Sequence, residues 1–249
     1  MEVSKIRVLV WNEFVHEQKP GPVKDMYPDG IHQVIAAGLR EAPDLEVKTA
    51  TMQEPEHGLT EQVLAETDVI LWWGHLAHAQ VEDEIALRVH RRVLEGMGFI
   101  ALHSGQGCKT FRRLLGTSGV LRWREVGERE RLWVCNPGHP IVQGLGECVE
   151  IECSEMYGEP FAIPRPDEQI FISWFEGGDV VRSGNTWLRG NGKLFNFSTG
   201  HETYPIYYQE EIKLILKNAA RWAAPRGTWI QKYIPEITPE QTKEKITPK

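Results

Sequence analysis

The first half of the chain alternates between short apolar runs and longer segments in which apolar residues recur every three or four positions. The runs 5–11, 68–73 and 98–103 and the alternating segment 45–50 predict four strands. The helical spacing predicts two apolar helix faces, formed by Ile31, Val34, Ile35 and Leu39 and by Val81, Ile85, Val89 and Val93. Asp29 is the predicted N-cap of the first helix. This order of elements predicts an α/β fold with a mainly parallel sheet and helices on both faces.

The second half changes to short strand-like runs separated by glycine-rich turns. Turn signals at 177–178, 183–185 and 190–192 divide this region. The predicted strands are 121–126, 130–135, 148–153, 169–174, 180–182, 186–189 and 193–198. We therefore expect an antiparallel extension at the edge of the parallel sheet, followed by a final helix that Pro225 ends.

Residues 1–225 are expected to form a single α/β domain, with residues 226–249 as a C-terminal extension. The extension carries apolar residues beside its prolines and charged residues, namely Trp229, Tyr233, Ile234 and Ile237. Two interpretations of it stay open, which are partial packing on the domain and mobility. The apolar tail residues and an exposed sheet edge favour a homo-oligomer.

Composition and charge narrow the class of protein. The chain has 249 residues, of which 41% are hydrophobic and 25% charged, as in ordinary globular domains. A net charge of -7 leaves no broad basic surface, so nucleic acid is not an expected partner. No apolar run approaches the roughly 20 residues of a membrane span, and signal-peptide features are missing, so we expect no membrane partner and a cytoplasmic location. The four cysteines lack CxxC spacing, which argues against a disulfide framework.

Histidines follow several predicted strands at the edge where parallel sheets bind ligands. They are His75 and His78 after the third strand, His103 at the end of the fourth, His201 after the last buried strand, and His16 and His32 near the first. Imidazoles that converge suit zinc or a related divalent cation, especially with carboxylates such as Glu13 and Glu155 nearby. The simpler alternative is that these histidines are loop residues that bind no metal, because no HExxH or CxxC motif supports the site.

The turn after the fourth predicted strand contains a second candidate catalytic residue. Ser104 lies between a strand and a short helix, in a glycine-containing turn, and a histidine base would make its hydroxyl a hydrolase nucleophile. Against this, Leu102 occupies the position where a GxSxG elbow has its first glycine. Cys108, further along the turn, is expected to be an inert buried thiol. For the tryptophans we expect core packing, with one or two near the rim able to stack on a sugar ring.

Several segments of the chain together resemble the ThuA-like trehalose-utilisation family. The resemblance runs from Trp11 to Ala223 and rests on GIHQVIAAGL, WWGHLAH, GFIALHSG, WREVGERERLWV, GHPIVQGL, EMYGEPFAIP, ISWFEGG, FNFSTGHETYP and NAARWA. It implies a flavodoxin-like, class I glutamine amidotransferase-like doubly wound sheet. His103 stands at the elbow where amidotransferases have a cysteine, and His201 and Glu202 stand where those enzymes have a His/Glu pair. Glutamine hydrolysis is therefore not expected.

The resemblance also implies a carbohydrate substrate, an oxidised (keto) disaccharide or sugar, with a sugar dehydrogenase as a partner in the same pathway. The preferred hypothesis is an enzyme in which His103 and His201, with His75 or His32, hold a divalent metal, zinc being favoured, and Glu155 is a further candidate ligand. Glu155, Glu13 or His78 would move a proton, and the expected sugar-contacting residues are His75, His78, Trp73 and Tyr157. Isomerisation, elimination and hydrolysis stay open. The alternatives are a metal-free hydrolase using Ser104 or the His103/His201 pair, and a non-catalytic sugar-binding subunit.

Overall fold

The computed structural model describes residues 5–225 together with Glu244, and the predicted extension 226–249 otherwise lies outside the described residues. The strands are, in chain order, β1 Ile6–Asn12, β2 Leu45–Thr51, β3 Val69–Trp73, β4 Gly98–Leu102, β5 Arg122–Val134, β6 Cys148–Gly158, β7 Glu168–Phe175, β8 Val180–Arg189 and β9 Gly192–Phe197. The α-helices are α1 Pro22–Met26, α2 Ile31–Arg40, α3 Glu61–Ala65, α4 Asp83–Glu95, α5 Lys109–Leu115 and α6 Glu210–Ala223. No helix among these residues is both long and apolar enough to cross a membrane.

The strands form one mixed sheet with the order β2-β1-β3-β4-β9-β8-β7-β5-β6. Its first five strands run parallel to one another, and their order is that of flavodoxin-like folds, with β9 as the fifth strand. The predicted fold class is thereby confirmed. All five strands end at the same edge, so the residues that follow them are brought together.

Helices cover the parallel part on both faces because its strands are apolar on both sides. Along β1, Val8 and Val10 pack into the cluster under α2 and α6, whereas Leu9 and Trp11 pack into the cluster under α4 and α5. This alternation follows from the two-residue period of a strand. Every residue of β3 and of β4 is buried, so each side chain gives roughly 1.5–3 kcal/mol of hydrophobic stabilisation if it is large and apolar.

The predicted antiparallel extension is confirmed as β8-β7-β5-β6, but two of its boundaries were wrong. The segments 121–126 and 130–135 belong to one strand, β5, which continues through bulges between Arg124 and Glu130. Likewise 180–182 and 186–189 belong to the single strand β8. Gly184 lies inside β8, and a Cβ at this position would stand 2.4 Å from Phe171 Cδ2. The glycine is therefore explained by a close contact with Phe171 and not by a turn.

The start of α2 also differs from the prediction. Its N-cap is Gly30 and not Asp29, and no side chain of the cap residue closes the helix. Instead, the Ile31 N–H donates to Glu17 Oε1 at 3.2 Å. A buried carboxylate from the preceding loop therefore takes the place of a capping side chain, which local sequence spacing does not reveal.

Candidate functional site

His103 is the first residue after β4 and adopts a left-handed backbone conformation, with φ 52°. This conformation is uncommon for a residue with a Cβ, and such strain concentrates at functional sites. The ring is buried and stacks between Trp73 and Tyr157, with centroid distances of 6.1 and 5.2 Å. Its Nε2 lies 3.2 Å from the Tyr157 hydroxyl and 3.4 Å from Glu155 Oε2.

His75 reaches the same place from the loop after β3. The carboxylate of Glu13, directly after β1, accepts the backbone N–H groups of Leu76 and Ala77 at 2.8 and 2.9 Å, which fixes this loop. His75 Nδ1 lies 2.9 and 3.0 Å from the two carboxylate oxygens of Glu202. Glu13 thus has a positioning role beneath the loop.

His201 and Glu202 come from the loop after β9. The Trp73 indole N–H donates to the Gly200 carbonyl at 3.2 Å, which ties this loop to β3. His201 Nδ1 lies 2.7 Å from Thr203 Oγ1, and that hydroxyl donates to Glu125 Oε1 at 2.9 Å. The backbone N–H of Thr203 also donates to His201 Nδ1, at 3.2 Å, so two groups of Thr203 orient the ring through this nitrogen and its Nε2 side faces the other donors.

These loops bring together a compact donor group. One ligand atom from each of His75, His103, His201 and Glu202 lies within 4.8 Å of the others. The ring centroids of His103 and His201 are 5.1 Å apart, and those of His75 and His201 are 5.0 Å apart. Three imidazoles and one carboxylate form a donor set that suits zinc or another divalent transition metal.

Burial sets the protonation of this group. Desolvation lowers the pKa of His103 well below its usual value and also lowers the pKa of His201, which keeps both rings neutral. Desolvation opposes the charged form of His75 as well, but its hydrogen bond to Glu202 and that residue's charge raise its pKa. For Glu202, burial is outweighed by hydrogen bonds from His16 and His75, so the pKa of its carboxyl is far below normal.

The pKa of the Glu155 carboxyl is shifted in the opposite direction to that of Glu202. It lies on β6 and is buried, and its Oε2 has no hydrogen-bond partner among the described residues. Desolvation raises its pKa to about 7. Its Oε2 is 3.4 Å from His103 Nε2 and 3.9 Å from His201 Nε2. A carboxyl with this pKa can accept and release a proton near neutral pH.

The donor group lies between two cavities. The larger, about 530 Å³, is lined by His75, Leu76, His78, Ser104, Gln106, Gly107, Arg112, Ser118, Gly119, Val120, Leu121, Trp123, Glu125, Glu155, Tyr157 and His201. The smaller, about 360 Å³, opens beside His16 and residues 19–23. Both cavities share His75, Glu125 and His201. Molecules in either cavity would therefore reach the imidazoles.

Most of the site residues expected from the sequence lie in this region, either in the donor group or in the wall of the larger cavity. His75, His103 and His201 converge, and Glu155, Tyr157, His78 and Ser104 line the larger cavity. Trp73 is fully buried beneath the rings and does not line this cavity. Within the described part of the chain, the Ser104 hydroxyl has no hydrogen bond to a histidine, and its role as a nucleophile stays a prediction.

His32 is not brought into the donor group. It lies in the first turn of α2, where its Nδ1 is 3.1 Å from Asn12 Nδ2. Burial lowers its pKa to about 4, so it is a neutral imidazole bonded beneath β1. The helical spacing placed this residue on the correct element but could not determine where its ring points.

The contacts of three residues around the donor group could not be predicted from the sequence. His16 bonds Glu202 through a close Nδ1 contact, and Thr203 and Glu125 continue the chain of hydrogen bonds from His201. Glu125 lies in a run of alternating positive and negative residues, a pattern that is also typical of a solvent-exposed hairpin. Alternation of apolar and charged residues along β5 could have indicated one long strand that carries Glu125 to the site. Gly127 interrupts this alternation.

Together, the sheet and the imidazole group define an α/β protein of flavodoxin-like strand order with a candidate metal centre at the carboxyl edge. The chain belongs to the ThuA family, described as trehalose utilisation, whose match covers residues 7–223. That membership confirms the resemblance noted in the sequence and points to a carbohydrate-related function.

Solved structures similar to this chain have the same fold. A ThuA-like protein from Parabacteroides merdae matches with a TM-score of 0.69 and 15% identity, over 96% of this chain and 96% of that chain. A ThuA-like protein from Bacteroides uniformis matches with a TM-score of 0.62 and 17% identity, over 89% and 92%. A cytoplasmic protein from Salmonella typhimurium LT2 matches with a TM-score of 0.58 and 13% identity, over 88% and 100%. A search of curated protein sequences found no match.

Proposed function

We propose that this protein is a cytoplasmic enzyme of carbohydrate catabolism that uses a divalent metal, zinc being favoured, to act on a keto-sugar or keto-disaccharide. The observation that carries the proposal is the convergence of His75, His103, His201 and Glu202 within 4.8 Å beside a large cavity. The family description supports the class of substrate. A sugar dehydrogenase that oxidises a hydroxyl group would supply the keto substrate.

The residues present fit a metal. Neutral imidazole is the form that binds a cation, and burial keeps His103 and His201 neutral. Glu202 would contribute a charged oxygen, and Glu155 has a buried oxygen without a partner at the same place. A bound cation would polarise a carbonyl oxygen of the sugar as a Lewis acid.

The protein's own groups would then handle the proton. Glu155, whose pKa of about 7 suits transfer in either direction, faces the imidazole group from the wall of the cavity. It would remove the proton from the carbon next to the carbonyl and return it to a neighbouring atom. Tyr157, hydrogen-bonded at His103, would orient the substrate. Proton abstraction at that carbon serves both isomerisation and elimination.

Metal analysis of the purified protein tests the proposal. We expect about one equivalent of a divalent transition metal, which His103→Ala and His201→Ala lose together with turnover of keto-disaccharides. His139→Ala is the matched control, because this buried histidine packs against Trp222 and belongs neither to the donor group nor to the lining of the two cavities beside it. A metal-free protein with full activity would end the metal hypothesis and favour the metal-free hydrolase. A protein that binds sugar without turnover would favour the non-catalytic subunit.

A further inference from the structure

Trp123 is a large aromatic residue that the fold leaves exposed at the mouth of the larger cavity. It lies on β5 and retains 67% of its accessible surface, although it lines the same cavity as His103's neighbours Glu155 and Tyr157. It pairs directly with Tyr157 across β5 and β6, and paired residues in an antiparallel sheet project from the same face. Tyr157 in turn stacks on His103 at 5.2 Å. Trp123 is therefore one aromatic residue away from the donor group.

The rim around Trp123 is apolar as well. Leu76 and Val120 line the cavity and are each 64% exposed, and Leu121 lies beside them. Single exposed apolar residues are ordinary on protein surfaces. Here they are grouped around the entrance of one cavity, which is the arrangement expected of a ligand site.

The inner wall of the same cavity has the opposite character. Gln106 is 3% exposed and lines the cavity, and its side-chain Oε1 has no hydrogen-bond partner among the described residues. The buried Oε2 of Glu155 also has no hydrogen-bond partner among these residues. Buried polar atoms normally have partners, so unpartnered ones that line a cavity indicate a ligand or water that would bond them.

An apolar aromatic rim above an unpartnered polar wall matches a pyranose ring. The C–H groups on one face of such a ring carry partial positive charge and pack against the electron-rich face of an indole. Its hydroxyl groups project from the edge of the ring and donate to acceptors such as an amide oxygen. An aromatic hydrocarbon would leave these acceptors unpaired, and an acyclic polyol has no ring face to stack.

We propose that this part of the cavity is a subsite for one pyranose ring, in which Trp123 is the stacking platform and Gln106 accepts a hydroxyl group. The ring bound here is next to the reacting part of the substrate, because Tyr157 separates Trp123 from His103. The inference rests on the proposed carbohydrate function but not on the metal. It assigns a binding role to a residue that neither the strand-end pattern nor the donor group requires.

Binding of trehalose, measured by saturation-transfer NMR and titration calorimetry on the full-length protein, tests the subsite with and without added zinc. We expect Trp123→Ala to weaken trehalose binding about tenfold or more, since a stacked ring is lost, and Trp123→Phe to retain most of it. Gln106→Leu should weaken trehalose in the same range. Sorbitol, which has no ring, should not compete with trehalose.

Trp133→Ala is the matched control, because Trp133 is also exposed, at 44%, on the same strand β5 but does not line the cavity. It should bind trehalose as the unaltered protein does. Metal content should be unchanged in Trp123→Ala, so that loss of sugar binding is separated from loss of the metal centre. Circular dichroism verifies that each variant folds.

Three results would overturn the subsite. They are no binding of trehalose by the unaltered protein, equal binding by folded Trp123→Ala, and a change of oligomeric state in that variant with sugar binding intact. If Trp123-dependent binding is found in a protein without metal or turnover, the subsite stands and the proposed enzyme function falls. If metal and turnover are found but Trp123→Ala has no effect on KM or on trehalose binding, the proposed enzyme function stands and the subsite falls.

Discussion

The parallel and antiparallel parts of the sheet contribute different chemistry to one site. The parallel part supplies the imidazoles, from the loops after β3, β4 and β9, and these loops follow strands that are almost fully buried. The antiparallel part supplies Glu125, Glu155, Tyr157 and Trp123, from β5 and β6, whose side chains range from buried to largely exposed. In the proposed function, the buried parallel part positions a metal and the more open antiparallel part handles the proton and the substrate.

The strongest test of this division is Glu155→Gln. If the antiparallel part handles the proton, turnover should fall by about 10²–10⁴-fold while metal content stays unchanged. A base must lose its proton to act, so activity falls as the pH drops below its pKa; this acidic limb of kcat/KM should disappear in the variant. Loss of the metal in Glu155→Gln would instead place Glu155 among the ligands and break the comparison.

A smaller effect is expected from Thr203→Val, which tests how the parallel part orients His201. The Thr203 hydroxyl lies 2.7 Å from His201 Nδ1 and bonds Glu125 at 2.9 Å, so its loss leaves only the Thr203 backbone N–H on Nδ1 and removes the link of the ring to β5. Metal affinity should fall about 10- to 100-fold, as for other groups that hold a metal ligand in place. Competition with a chromogenic chelator measures it. Thr203→Ser, which keeps the hydroxyl, should retain the metal affinity of the unaltered protein. Equal weakening in both variants would show that the Thr203 hydroxyl does not orient His201.

The smallest expected effect concerns the packing of the antiparallel part. In Gly184→Ala the new Cβ would approach Phe171 Cδ2 to 2.4 Å, and Phe171 is fully buried. We expect the free energy of unfolding in urea to fall by about 1–3 kcal/mol. Gly146→Ala is the control, because nothing lies within 4 Å of its Cβ position; it should change stability by less than about 0.5 kcal/mol. Equal stabilities would show that β8 does not need a glycine there.

The two parts also differ in how much the sequence reveals. His75, His103 and His201 could be placed near one another because parallel strands end at a common edge and the apolar runs before them are unmistakable. The sequence also places His16 near this edge, but its bond to Glu202 could not be predicted, since His16 lies in a loop whose path is determined by contacts distant in sequence. The inward direction of the His103 ring depends on a backbone conformation that a histidine rarely adopts.

The antiparallel part was harder to predict for a physical reason. Gly127 and Gly184 have the composition of turns, but each lies within a strand, one at a bulge and one at a close contact with Phe171. The division of β5 into 121–126 and 130–135 concealed the bulge that lets the strand continue, and the division of β8 concealed its contact with Phe171. The sequence indicates that one or two tryptophans near the rim could stack on a sugar ring, and the three-dimensional arrangement shows that Trp123 is exposed at the larger cavity.

Zinc-edge X-ray absorption on the protein loaded with one equivalent of zinc tests the central claim most directly. We predict a first shell of nitrogen and oxygen at about 2.0–2.1 Å with scattering from three imidazoles, and no such spectrum from His103→Ala, which should not retain the zinc. A spectrum with sulfur ligands, with fewer imidazoles, or unchanged by His103→Ala would contradict a metal centre built from His75, His103, His201 and Glu202.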